Sequence, residues 1–134
     1  MLTRLRVKGF KNLQDVEVYF GAFTCIAGSN AVGKSNLFDA ILFLSALADT
    51  PVLEAALSVR DKEGRSTDIR SLFHRSLGGT ATEMSFEADI LLPSSAVDDL
   101  GQKASPAISY VTYHLHLRLR EGDSDSLKIG RAHV

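Results

Sequence analysis

The sequence predicts an α/β fold, a mixed sheet that opens with an antiparallel hairpin and surrounds the helix following a glycine loop. Three observations carry that expectation. Residues 2–8 and 15–20 both alternate apolar with polar side chains, the period of half-buried strands. The loop Gly28-Ser29-Asn30-Ala31-Val32-Gly33-Lys34-Ser35 stands between an apolar run at 23–27 and an apolar-rich run at 37–48. Residues 83–92 and 108–120 then alternate again, over lengths that only strands of a substantial sheet require.

In the first strand Thr3, Leu5 and Val7 share one face, and Arg4, Arg6 and Lys8 the other. Gly9-Phe10-Lys11-Asn12-Leu13 makes the turn, and the second strand sets Val16, Val18 and Phe20 inward with Asp15, Glu17 and Tyr19 outward. Antiparallel pairing then lays a basic face beside an acidic one, a favourable cross-strand arrangement. Residues 23–27 read as a short buried strand entering the glycine loop, with Cys25 a small buried hydrophobe within it. The helix leaving the loop is apolar nearly all round, so it expects burial on more than one side.

Thr50 is placed to cap a second helix near 51–59, with Pro51 in its first turn. A polar loop at 60–67 and one or two helical turns at 68–74 follow. Met84, Phe86, Ala88, Ile90 and Leu92 line the inner face of the next strand; a polar loop spans 93–106. The long strand at 108–120 turns Val111, Tyr113, Leu115, Leu117 and Leu119 inward, and Thr112, His114, His116, Arg118 and Arg120 outward. A turn at 121–125 leads to one more short strand. The closing residues 129–134, Ile-Gly-Arg-Ala-His-Val, resemble a translated sequencing-library adapter; they are expected to be a non-native tail on an incomplete lobe spanning 1–128.

Composition narrows the classes. With 134 residues there is room for one domain, and a net charge of -1 provides no bulk attraction to nucleic acid or to a membrane surface. One cysteine excludes an internal disulfide and favours a reducing compartment. The chain's start, Met-Leu-Thr-Arg-Leu-Arg, is unlike a secretory signal, and no apolar run approaches the ~20 residues of a membrane span. A cytoplasmic location with no membrane partner is the expectation.

The glycine loop fits G-x-x-x-x-G-K-[ST] at every fixed position, a pattern met by accident in roughly half a percent of chains this long. Its chemistry is the binding of a nucleoside triphosphate. Gly28 and Gly33 let the backbone wrap closely, and successive N–H groups form a nest for anionic oxygens. The helix start adds further N–H groups and the positive end of its dipole. Lys34 is expected to reach the β- and γ-phosphates, and Ser35 to offer its hydroxyl to Mg²⁺.

The opening strand turning on Gly9-Phe10-Lys11-Asn12, followed some twenty residues later by Gly28-Ser29-Asn30-x-x-Gly33-Lys34-Ser35-Asn36, resembles the amino-terminal lobe of ABC-type ATPase heads. These are the P-loop NTPase heads of RecF, SMC and OLD-nuclease proteins, and the likeness is closest to the AAA-family ATPases of that type. It covers residues 1–48 strongly and 68–121 in strand pattern alone. The resemblance implies that the 10–12 turn lies near adenine and ribose, and that Asn30 shapes the loop around the γ-phosphate. Lys11, Asn12, Asn30 and Asn36 thereby join Gly28, Ser29, Ala31, Val32, Gly33, Lys34 and Ser35 as nucleotide-binding candidates. Ala31 stands where the family commonly has glycine, which makes positive φ there costlier.

Three other stretches resemble sites. Ser76-Leu77-Gly78-Gly79-Thr80 has a passing likeness to the ABC signature but reverses its first two residues, and reads as a glycine-rich turn. Asp98-Asp99 lacks the apolar strand that a Walker B carboxylate pair requires. His114 and His116 lack a third metal ligand, and with Arg118 and Arg120 they form a small basic stripe on a strand face. The expected function is therefore ATP binding by a Walker A half-site. The intact parent would be an ATPase whose heads pair as a homodimer around ATP, with DNA as a further partner in repair or phage defence. The fragment alone is expected not to hydrolyse ATP. The competing reading is a non-hydrolysing nucleotide switch or scaffold; a small kinase or GTPase fits less well, because kinases do not open with this G-F-K-N hairpin and the GTPase sequence N-K-x-D is absent.

Overall fold

The computed structural model describes residues 1–29, 32–59 and 69–119, together with the backbone of 120 and 126–133. Strand β1 (Leu2–Phe10) and strand β2 (Leu13–Tyr19) form the expected hairpin, joined by the two-residue turn Lys11-Asn12. Strands β5 (Glu83–Leu91), β8 (Tyr110–Arg120) and β9 (Ser126–His133) complete a five-stranded sheet in the order β2-β1-β5-β8-β9. Every pairing is antiparallel, where a mixed sheet was expected. The difference comes from residues 23–27, which carry no strand assignment and join no ladder. Phe23 and Cys25 are exposed rather than buried, so the cysteine does not serve as a core residue here. Most of the suspected tail at 129–134 extends β9 along β8.

Helix α1 (Lys34–Ala46) follows the glycine loop, and helix α2 (Val52–Ser58) lies beside it. Pro51, not Thr50, is the N-cap of α2; the Thr50 hydroxyl instead donates to the Ala46 carbonyl at 2.8 Å and closes the end of α1. A 3-10 turn at Ile69–Leu72 stands where helical turns were expected; the polar loop at 60–67 lies outside the described residues. Two short hairpins complete the chain, β3 (Arg75–Ser76) with β4 (Gly79–Thr80) and β6 (Ala96–Val97) with β7 (Lys103–Ala104). The first is the glycine-rich turn expected at 76–80, and the second interrupts the polar loop expected at 93–106.

The core lies between the inner sheet face and the helices. Leu5, Val7, Phe86, Leu115 and Leu117 meet Leu37, Ala40 and Phe43 of α1 and Ala55 and Ala56 of α2. At its centre Phe10, Phe43 and Phe86 contact one another with ring centroids 5.5–6.1 Å apart. Phe86 on β5 and Phe10 at the end of β1 thus fix how α1 sits. Burial reaches only one side of α1: Phe38 and Leu42 remain exposed, as do Leu53 and Leu57 of α2.

The outer sheet face is a chequerboard of charge. Arg4 pairs with Glu17, Glu87 and Asp89, and Arg6 with Asp15, so the expected basic-to-acidic hairpin pairing is realised. Arg118 and His116 both engage Glu83, at 2.6 and 3.3 Å. The basic stripe read from β8 is therefore neutralised in part by its neighbouring strand. No described helix is long and apolar enough to cross a membrane.

Candidate functional site

Gly33 is the hinge between loop and helix. It caps α1 with φ 103° and ψ 6°, a left-handed conformation natural only to glycine. A Cβ at this position would stand 3.0 Å from the Asn12 Oδ1 and 3.1 Å from the Leu13 Cδ2, so the hairpin turn presses directly on the glycine. The helix therefore begins at Lys34, and Lys34, Ser35 and Asn36 fall in its first turn. No acidic residue occupies that turn, which leaves the positive end of the helix dipole uncompensated there.

The ammonium of Lys34 folds back over the loop. It donates to the carbonyl of Gly28, and to that of Ser29 at 2.7 Å. Ser29, Val32 and Ser35 are exposed, so the loop presents its polar groups outward. Asn30 and Ala31 lie outside the described residues.

The resemblance-based candidates from the hairpin turn do converge on this helix. Asn36, buried in the first turn of α1, donates its amide to the Asn12 Oδ1 at 2.6 Å. Lys11 takes a different position. Its ammonium pairs at 2.7 Å with Asp39 on the next turn of α1 and lies 5.8 Å from the centre of the Phe10 ring. Lys11 also has φ 48°, the one left-handed non-glycine among the described residues. Such a conformation costs about 1–2 kcal/mol and persists where surrounding contacts over-determine it. Here they do. The Lys11 N–H donates to the Leu72 carbonyl at 2.7 Å, and its own carbonyl meets the His74 Nδ1 at 2.8 Å.

That second contact introduces residues that the sequence reading passed over. The segment after the 3-10 turn is stitched to the hairpin: Phe73 bridges Phe10, and the His74 N–H donates to the Gly9 carbonyl at 2.9 Å. Between this segment, the Lys11-Asn12 turn and the first turn of α1 lies a cavity of about 360 Å³. Its lining comprises Lys11, Asn12, Asn36, Ser71, Phe73, His74 and Arg75. The volume falls in the range of small-molecule pockets. The Ser71 hydroxyl is buried without a hydrogen-bond partner, an arrangement that folded proteins seldom leave uncompensated. Asp39 had a visible signal, a lone carboxylate in an otherwise apolar stretch of helix. Ser71 and His74 had none, because only tertiary pairing brings them to the turn.

The Asp98 carboxylate accepts the N–H groups of Leu100 at 3.0 Å and Gln102 at 2.7 Å, which fixes the turn between β6 and β7. Among the described residues no three metal-ligating side chains cluster.

The family described as an AAA ATPase domain matches residues 1–94 of the chain. The DNA replication and repair protein RecF of Bacteroides thetaiotaomicron is 46% identical over 46 residues, 34% of this chain and 12% of that protein. The structural maintenance of chromosomes protein 1 of Schizosaccharomyces pombe is 37% identical over 76 residues, 55% of this chain and 5% of that protein. A solved structure from work on the ATP-driven dimerization and DNA-stimulated activation of SMC ATPases has a TM-score of 0.56 at 21% identity. That likeness covers 99% of this chain and 72% of the solved one, and it extends to the fold. The chain spans about an eighth or less of the curated relatives named here.

Proposed function

The chain belongs to the AAA ATPase domain family, and from that membership we propose that residues 28–36 bind the triphosphate of Mg²⁺-bound ATP. The observation that carries this reading is the left-handed Gly33 cap, which delivers Lys34, Ser35 and Asn36 together into the first turn of α1. A Cβ there would fill the space against Asn12, so the position suits a backbone that must approach a ligand closely. The residues fit the group chemically: a lysine and unsatisfied helix N–H groups for phosphate oxygens, and an exposed serine hydroxyl for a hard cation. Bound Mg²⁺ would neutralise phosphate charge. Lys34 would exchange the carbonyls of Gly28 and Ser29 for phosphate oxygens, and the loop N–H groups would orient the chain of phosphates. Asn12 and Asn36 would hold the hairpin turn against the helix so that the nucleoside end has a wall.

In the whole protein we assign this half-site to an ATPase that hydrolyses ATP, with heads paired around the nucleotide as a homodimer. The RecF relative, a DNA replication and repair protein, supports DNA as the object of that work; repair or phage defence in the cytoplasm is the role we assign to it. Calorimetric titration of the chain and of Lys34→Ala with Mg²⁺–ATP tests the site. Binding should weaken at least tenfold in the variant, about 1.4 kcal/mol or more. Equal affinity for both proteins overturns the role given to Lys34.

A further inference from the structure

We infer that His74 reads the base of the bound nucleotide and selects adenine over guanine, an inference that rests on the proposed triphosphate site. The reasoning begins with a proton. A backbone carbonyl can only accept, so the 2.8 Å contact between the Lys11 carbonyl and the His74 Nδ1 requires the hydrogen to sit on Nδ1. In the neutral ring the Nε2 is then a bare acceptor. Among the described residues it has no hydrogen-bond partner, and His74 lines the 360 Å³ cavity. Backbone bonds fix the ring's attachment on both sides, from the His74 N–H to Gly9 and from the Ala81 N–H to the His74 carbonyl.

The cavity adjoins the phosphate loop through two of its own lining residues. Asn36 lies in the first turn of α1, and Asn12 both bonds it and abuts Gly33. A nucleotide held by its phosphates at that helix start has its nucleoside end at this opening. A fixed acceptor there favours a base edge that donates. Adenine carries an exocyclic amino donor at position 6, and guanine carries a carbonyl acceptor at the same place. Two acceptors facing each other leave both unpaired, which is the strongest form of discrimination available to a small pocket.

The test titrates the full chain by calorimetry with the Mg²⁺ complexes of four ligands: ATP, purine riboside triphosphate, ITP and GTP. The 6-position changes from amino donor to hydrogen to carbonyl while the phosphates stay the same. The expected order is ATP tightest, purine riboside triphosphate about fivefold weaker, and ITP and GTP at least tenfold weaker than ATP. His74→Phe, which removes the acceptor and keeps a ring, should bring ATP and GTP within about twofold of each other. Purine riboside triphosphate binding as tightly as ATP to the unmodified chain overturns the inference without need of any variant. ITP or GTP matching ATP overturns it as well, while leaving the triphosphate site standing. Absence of binding by all four ligands overturns both readings together.

Discussion

Replacement of Gly33 by alanine separates the two constraints that the structure places on the loop-to-helix hinge. The first is conformational: φ 103° puts an alanine in backbone territory that costs about 1–2 kcal/mol. The second is contact. The new Cβ would lie 3.0 Å from the Asn12 Oδ1 and 3.1 Å from the Leu13 Cδ2, so Asn12 must move. That oxygen also receives the Asn36 amide at 2.6 Å, and losing such a bond between half-buried groups costs about 0.5–1.5 kcal/mol. Gly33→Ala should therefore destabilise the fold by about 1.5–3.5 kcal/mol, a large share of the 5–15 kcal/mol typical of a domain. Gly79 is the matched control. Its φ is 122°, and a Cβ there would meet nothing within 4 Å, so Gly79→Ala bears the conformational cost alone. Urea unfolding of both variants, followed by far-ultraviolet dichroism, isolates the contact contribution as their difference. The difference should be about 0.5–1.5 kcal/mol, and Mg²⁺–ATP affinity should fall in Gly33→Ala but not in Gly79→Ala. Indistinguishable midpoints for the two variants would refute the claim that the hairpin turn is packed against the hinge.

Acid should weaken the fold through its outer face. The Arg6 guanidinium holds the Asp15 carboxyl below its ordinary range, Arg118 does the same for Glu83, and Asp89 is held down first by the Tyr110 hydroxyl and then by Thr112 and Arg4. Carboxyls depressed in the folded state contribute stability in full above their unfolded pKa of about 4, and the contribution drains away as pH falls through the folded values. The urea midpoint should be level from pH 7 to 5 and then decline toward pH 2.5; a level or rising midpoint below pH 4 contradicts the pairing. The exposed side of α1 and α2 supplies the other prediction. Phe38→Glu combined with Leu42→Glu should raise the concentration at which light scattering appears, while moving the unfolding midpoint by less than about 0.5 kcal/mol, because both side chains are already exposed. Unchanged scattering would mean that this face does not drive association.

The limits of the sequence reading follow from where each element finds its partners. Strict alternation over 2–8 and 83–92 fixed both strands and their faces, because a period of two puts Leu5 and Val7 on one face of the first and Phe86 and Ala88 on one face of the second, and all four are buried. The charge on the opposite face followed from the same alternation, down to the Arg6–Asp15 pair. Residues 23–27 carry an equally good apolar run, yet they form no strand. A run without alternation states only that burial is wanted, not against what, and no described strand pairs with it. The same logic explains α1, whose all-round apolar pattern predicted two buried sides where the fold covers one. Both misreadings lie on one surface theme: apolar groups whose partners are not among the described elements.

The site divides along a similar line. The half we propose for phosphate was legible because it rests on contiguous residues, where one left-handed glycine and the helix start deliver Lys34 and Ser35 in fixed order. Its other half is assembled from three separated segments, and there spacing is silent. Lys11 was expected near the nucleotide; its ammonium pairs with Asp39, so the turn contributes backbone geometry and the Asn12 amide more than free charge. The consequence reaches the function. A lysine paired with Asp39 of α1 adds little attraction for phosphate, whereas its left-handed carbonyl fixes the proton on His74. On this reading the Lys11 position acts through its main chain. Phosphate affinity is left to Lys34, and discrimination between bases to the cavity beside it.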